Sequence, residues 1–171
     1  MSKIGILIAT IFLSISIYSI SVNNIDGQTI HFSDYSGKKI LIVNTATNSS
    51  YVNQYAHLEQ LYQLYKDSLV VIAIPSNSFG NEPGSNQAIK DFVTSNYNAH
   101  FTLGEKVPVT GADATPIYQW LEQESQNGTM NNELNGDFQK FLISKDGSLI
   151  GVFSPVIDPM DSLIQKAILH N

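Results

Sequence analysis

The sequence predicts an α/β layered domain built on a central mixed sheet, and three observations carry that expectation. Residues 39–44 (KILIVN) and 69–74 (LVVIAI) are continuous apolar runs bounded by turn residues, which is how strands buried on both faces of a sheet read. Between them Tyr51, Tyr55, Leu58, Leu61, Tyr62 and Tyr65 recur at helical spacing, so the segment is a β-α-β unit with a parallel strand pair. Further on, runs at 138–143 and 149–153 flank Lys145-Asp146-Gly147, a hairpin signal that adds an antiparallel pair.

The other elements follow in order. Residues 17–22 alternate like a strand, residues 23–27 turn at Asp26-Gly27, and residues 29–32 return, which predicts a short hairpin closed by a polar turn at 34–37. The run at 39–44 should be the central strand. After the second long strand, SNSFGNEPGS is a polar loop with Gly80, Pro83 and Gly84, and Ser85-Asn86 can cap a helix over 87–94. Residues 107–115 read as irregular, and Pro116 suits the first turn of a short helix through Leu121. Residues 122–135 are poor in apolar side chains and read as a mobile loop, and residues 161–169 form a last amphipathic helix. No internal repeat and no linker divides the chain, so residues 17–171 read as one domain.

Composition narrows the function classes. With 171 residues, 43% hydrophobic and 14% charged, the chain fits one globular domain with an ordinary core. A net charge of -6 without a block of Lys or Arg argues against nucleic acid as a partner. The absence of cysteine excludes disulfides, thiolate metal sites and cysteine nucleophiles. His31, His57, His100 and His170 lack ligand spacing, so neither a metal nor a cofactor is expected. G-x-S-x-G, G-x-G-x-x-G and G-x-x-x-x-G-K-[ST] do not occur. Asn48-Ser49-Ser50 and Asn127-Gly128-Thr129 match the glycosylation triplet.

The N-terminus carries one lysine and then an apolar run from Ile4 to about Ile15, with Ser14 and Ser16 at the −3 and −1 positions of a cleavage site. Residues 1–16 therefore read as a leader giving transient membrane targeting and, if cleaved, export to a periplasm or the outside. Residues 4–13 are too short to span a bilayer, which takes about 20 apolar residues. An uncleaved membrane anchor would have to recruit residues 15–22 as well. A third option is a buried N-terminal strand.

The stretch TNSSYVNQY places Ser49 and Ser50 where a buried strand ends and a helix begins. Serine there satisfies free backbone N–H groups, so capping explains it without chemistry. A serine nucleophile would need an adjacent base, and none is near in sequence. A thiol at a helix N-terminus would gain much from that position, whereas a hydroxyl gains little.

Several spaced words resemble the glutathione peroxidase family. ILIVNTATNSSYVNQYAHLEQLYQLY is similar to L-I-V-N-V-A-S-x-C-G-x-T-x-Q-Y-x-x-L-x-x-L-Y, and SIYSISVNNIDG to the family's opening hairpin. IPSNSFGNEPGSNQAIKDF resembles F-P-C-N-Q-F-G-x-Q-E-P-G-x-x-x-E-I-x-x-F with one residue missing. TGADATPIYQWL resembles N-G-x-x-x-x-P-x-Y-x-x-L, and NGDFQKFLISKDGSLIGVFSP resembles W-N-F-x-K-F-L-x-x-x-D-G-x-x-x-x-R-F-x-P. Five words in the right order cover nearly the whole chain after the leader.

The resemblance implies a thioredoxin-like fold and, for the family, thiol-dependent reduction of hydroperoxides in defence against oxidative stress. The peroxidatic cysteine or selenocysteine falls at Ser49, and the supporting glutamine, tryptophan and asparagine fall at Ser78, Gly136 and Asp137. Ser76 stands at the second cysteine word, and Val93 or Thr94 where some members keep a resolving cysteine. All these chemical residues are substituted, so the expectation is a redox-inactive pseudoenzyme with a binding role. Glutathione or thioredoxin would be a partner only if activity persisted. Two alternatives are an unrecognised peroxidase route through Met130 and Met160, and a serine enzyme in the old pocket with Ser49 as nucleophile and Asp137 contributing charge.

Overall fold

Residues 14–170 are described in a computed structural model. The chain opens on a short hairpin, β1 (Ser21–Asn23) and β2 (Thr29–His31), paired antiparallel with Asn23 opposite Thr29. Its turn closes because the Asn24 side-chain oxygen accepts from the Asp26 and Gln28 N–H groups while Gly27 takes φ +82°. Then come β3 (Lys39–Thr45), α1 (Gln54–Tyr65), β4 (Leu69–Pro75), α2 (Asn86–Tyr97) and β5 (Thr102–Leu103). They are followed by α3 (Pro116–Glu122), α4 (Glu124–Asn127), β6 (Lys140–Ile143), β7 (Leu149–Phe153) and α5 (Ser162–Leu169).

The main sheet has the order β5-β4-β3-β6-β7, with β3 at its centre as the apolar run implied. β3 pairs parallel with β4 and antiparallel with β6, so the sheet is mixed. All seven residues of β3 are buried because both faces are covered. Ile40, Ile42, Ile72 and Ile74 point to one side, against Ile117, Tyr118, Trp120 and Leu121 of α3. Leu41, Val43, Val71 and Ala73 point to the other, against Tyr55, Leu58 and Leu61 of α1 and Ile164 of α5. Each such aliphatic side chain, fully removed from water, stabilises the fold by about 1.5–3 kcal/mol. The expected α/β architecture with flanking helices and an N-terminal hairpin is therefore the observed one.

α5 has both ends satisfied. Asp161 caps it by accepting from the Leu163 N–H, and the buried Lys39 ammonium donates to the Ala167, Ile168 and His170 carbonyls at its far end. The Lys39 pKa is nonetheless held below the usual lysine range, first by burial and then by the nearby Lys145 charge.

Three local expectations are revised. Residues 17–22 are not one strand: Ile17–Ser19 is a 3-10 turn started by the Ser16 hydroxyl accepting from the Tyr18 N–H, which drops Ile17 into the core. Residues 51–53 form a turn, and α1 begins only at Gln54. Residues 122–135 hold α4 and are pinned from within, since the Asn127 amide donates to the Trp120 and Met130 carbonyls and Asn132 donates to Leu121. Asn127 is 7% exposed with its nitrogen so engaged, whereas Asn48 of the other glycosylation triplet is exposed.

The membrane-anchor option is overturned. Among the described residues no helix is long and apolar enough to cross a membrane. Residues 15–22, which an anchor would have to recruit, are instead folded into the domain as the 3-10 turn and β1. Residues 1–13, the rest of the expected leader, lie outside the described residues.

The Ile15 backbone is tied to the domain as well, although its side chain is exposed. Its N–H donates to the Gln126 carbonyl at 2.7 Å, and its carbonyl accepts from the buried Trp120 indole at 2.6 Å. A chain starting at Ile17 leaves that indole N–H unsatisfied and places a charged amine on a buried residue. It should be less stable than a chain starting at Ser14 by about 1–3 kcal/mol. Urea unfolding of the two truncations measures this, and equal midpoints would show that the contact contributes nothing.

Candidate functional site

Three loops meet at the carboxyl ends of β3 and β4: residues 46–53, 76–85 and 136–139. Ser49 lies in the first and is 5% exposed. Its N–H donates to the Ala46 carbonyl at 3.3 Å, its carbonyl accepts from Val52 at 3.1 Å, and its hydroxyl accepts from the Tyr51 N–H at 3.2 Å. The serine thus satisfies a free N–H, as a capping role requires, but inside the turn that precedes α1. The N-cap position itself is Asn53, which makes no side-chain capping bond.

The second loop is fastened to the first by Glu82, which is completely buried. Its carboxylate accepts from the Thr47 N–H at 2.7 Å, the Thr47 hydroxyl at 2.8 Å and the Gly84 N–H at 3.3 Å. The Asn48 N–H donates to the Asn81 carbonyl at 3.0 Å. Ser76 and Ser78 share a hydroxyl-to-hydroxyl bond of 3.0 Å, and the Ser78 oxygen also accepts from the Val109 N–H at 3.0 Å. Ser78 is therefore engaged with the 107–109 segment, and no hydrogen bond joins it to Ser49 among the described residues.

The third loop is pinned by Asn44, at the end of β3. The Asn44 side chain donates to the Gly136 carbonyl at 2.8 Å, and its own carbonyl accepts from the Phe138 N–H at 2.6 Å. Gly136 at φ +142° and Phe138 at φ +64° make the reversal that places Asp137 between them. Asp137 is 4% exposed; one oxygen accepts from the Asn81 amide at 2.7 Å, and the other is buried without a partner among the described residues. Near it, burial pushes the Tyr55 phenol far above its usual range, and the Glu82 and Asp137 charges push the same way against the opposing Thr45 hydroxyl.

The arrangement gathers Ser49, Ser78, Gly136 and Asp137 around the same strand ends without linking them as a catalytic relay. The two buried carboxylates, Glu82 and Asp137, both act on the Tyr55 phenol, and neither hydrogen-bonds Ser49 among the described residues. Among the described residues no base hydrogen-bonds the Ser49 hydroxyl: His57 binds Asp158 at 2.5 Å, and His100 binds Glu59 at 2.9 Å. Asp137 is occupied by Asn81, so a Ser49–Asp137 pair has no hydrogen bond to work through. Among the described residues no group of three His, Cys, Asp or Glu side chains can hold a metal ion. Val93 is buried in the α2 core, while Met130 is exposed and Met160 partly buried.

Sequence reasoning missed Asn44, Asn81 and Glu82 as the residues that hold the three loops together. The one available signal was a polar side chain, Asn44, closing an otherwise apolar run. Thr47, through which Glu82 holds the first loop, lies 35 residues away, which no local pattern reports.

Comparison with known proteins follows the same line. The family profile described as "Glutathione peroxidase" matches residues 17–122. A glutathione peroxidase of Lactococcus lactis is 38% identical over 153 residues, covering 87% of this chain and 97% of that protein. A glutathione peroxidase-like peroxiredoxin of Chlamydomonas reinhardtii is 38% identical over 144 residues, covering 83% and 88%. Among solved structures, T. cruzi GPX1 superposes with a TM-score of 0.69 at 29% identity, covering 90% of this chain and 94% of that one. A thiol:disulfide interchange protein of Chlorobium tepidum, at 17% identity and a TM-score of 0.62, shares the fold alone.

Proposed function

Because this chain belongs to the glutathione peroxidase family and contains no cysteine, we propose that it is a redox-inactive member of the family that acts by binding. The observation that carries the reading is the zero cysteine count across all 171 residues. Peroxide reduction requires a thiolate or selenolate that is oxidised to a sulfenic or selenenic acid and then regenerated by a thiol. With the peroxidatic residue lost, and no other thiol to stand in, that cycle has no starting species.

On this reading Ser49 occupies the position of the peroxidatic residue, and Ser78, Gly136 and Asp137 those of the supporting glutamine, tryptophan and asparagine. The substitutions also remove the means of stabilising an anion. A neutral amide is replaced by a carboxylate, an indole donor by a glycine, and the hydroxyl of Ser78 is bound to Ser76 and Val109. A sulfur restored at position 49 would lack the glutamine, tryptophan and asparagine donors that the family resemblance implies for stabilising its ionised form.

The test is hydroperoxide turnover with glutathione and, separately, with a thioredoxin system. The protein is expected to show no reductant consumption above the buffer rate. The Ser49→Cys variant is expected to react no faster than a free thiol. Catalytic consumption of either reductant by the unmodified protein would sink the proposal.

A further inference from the structure

The α3 side of the sheet holds a cavity of about 280 Å³ between the N-terminal hairpin and the end of β4, bordering the Ser78 segment through Val107. Its apolar walls are Val22, Ile74, Val107 and Pro116. The hairpin forms its roof because it is docked along the chain that follows β5: the Ile25 N–H donates to the Leu103 carbonyl, and the Glu105 N–H to the Asn23 carbonyl. Gly104 packs against β4 beneath the hairpin, where a Cβ would come within 3.1 Å of Ile74 Cγ1. A bidentate ion pair from Lys90 to Asp26, at 2.7 and 2.8 Å, holds the hairpin's turn to α2.

One charged side chain faces this cavity, the carboxylate of Glu105. It is oriented by a relay in which the Thr29 hydroxyl donates to Asn23 Oδ1 at 3.3 Å and Asn23 Nδ2 donates to Glu105 Oε1 at 3.0 Å. Glu105 is half-buried; among the described residues no protein group hydrogen-bonds its Oε2, and it has no ion-pair partner. The neighbouring cations are engaged elsewhere: Lys106 donates to the Gly84 carbonyl and Lys90 to Asp26. A carboxylate fixed in position, half-bonded and set against an apolar wall is complementary to a ligand with a cationic head and a compact hydrocarbon body. The chain's net charge of -6 favours the approach of such a cation.

We propose that this cavity binds a small organic cation, a primary amine on a compact apolar body, with its ammonium on the free oxygen of Glu105. The cavity shares Val107 with the pocket that Ser78 lines, but the proposal uses none of Ser49, Ser78, Gly136 and Asp137, so amine binding and the absence of peroxide turnover are tested independently.

The experiment is a titration of the full chain with cyclopentylamine, cyclopentanol and cyclopentanecarboxylate, followed by backbone amide NMR shifts. The amine is expected to give saturable shifts at Asn23, Glu105 and Val107, the alcohol to bind about tenfold more weakly, and the carboxylate not to bind. Glu105→Gln keeps an acceptor for the Asn23 amide, so the hairpin stays docked, and it should weaken the amine about tenfold. Val107→Phe fills the cavity without touching the charge and should abolish the shifts; it decides the matter if the glutamine variant fails to fold. Absence of saturable shifts at those amides, equal affinity for amine and carboxylate, or amine binding unchanged in Val107→Phe would overturn the proposal.

Discussion

Glu82→Ala is expected to lower the free energy of unfolding by about 3–4 kcal/mol, seen as a fall of about 2 M in the urea midpoint at unchanged slope. The carboxylate is completely buried and accepts from two backbone N–H groups and one hydroxyl, so its removal orphans three donors where water has no ready access. Hydrogen bonds to a charged acceptor contribute about 1.5–3 kcal/mol each, and the three share one side chain, so their sum is not additive. Glu82→Gln keeps one acceptor oxygen and should cost roughly half as much. A loss below about 1 kcal/mol for the alanine variant would mean that the 76–85 loop is held by its other contacts.

Stability should rise between about pH 8 and pH 10 because of Lys140. This lysine is completely buried, and burial pushes its pKa down to about 8 from the usual 10.5, with the Asp158 charge pulling weakly the other way. Among the described residues its ammonium donates only to the Pro155 carbonyl, at 3.2 Å. Below pH 8 both the folded and unfolded chains carry the proton, and the fold bears the full cost of burying a charge. As the pH rises past 8 the folded chain releases that proton while the unfolded chain still holds it, so the equilibrium moves toward the fold. Across the whole window this amounts to at most about 3 kcal/mol, at about 1.4 kcal/mol per pH unit.

Two phenols limit the rise. Tyr55 and Tyr118 are kept protonated by burial well beyond their usual range, so above about pH 10 ionisation of the unfolded phenols pulls stability back down. The Lys140→Met variant should be more stable than the natural chain at pH 7 and should lose the rise, apart from a smaller contribution of the same sign from Lys39. Urea unfolding of both proteins at pH 7 and pH 9.5 measures the difference. A gap between them that does not shrink as the pH rises would show that Lys140 is not charged in the folded protein at pH 7.

The long buried strands and the helices between them were legible because period and apolarity are local properties. β3 and β4 appear within one residue of the expected runs, and Ser85 caps α2 as its position suggested. The errors share a physical cause, which is competition from distant partners. Residues 17–19 alternate like a strand, yet Ile17 does better as a core side chain on a 3-10 turn than as part of a ladder. Phe138 belongs to the apolar run before β6, but its N–H is taken by Asn44 across the sheet and its φ of +64° keeps it out of the strand.

The vicinity of Ser49 divides in the same way. The missing sulfur is visible by inspection, since an absence needs no geometry. The bond from Asn81 to Asp137, and the burial of Glu82 and Lys140, depend on segments brought together only by the sheet order. No spacing in the sequence reports them.

The contact between Trp120 and Ile15 gives the protein a built-in optical gauge. Trp120 is the only tryptophan in the chain, and its indole is both buried and hydrogen-bonded to a residue near the N-terminus. Its emission therefore records whether that first segment is seated, by a red shift on release, without any attached dye. Processing, truncation or proteolysis of the N-terminus can be followed in real time by the intrinsic fluorescence of that indole, with global unfolding scored separately.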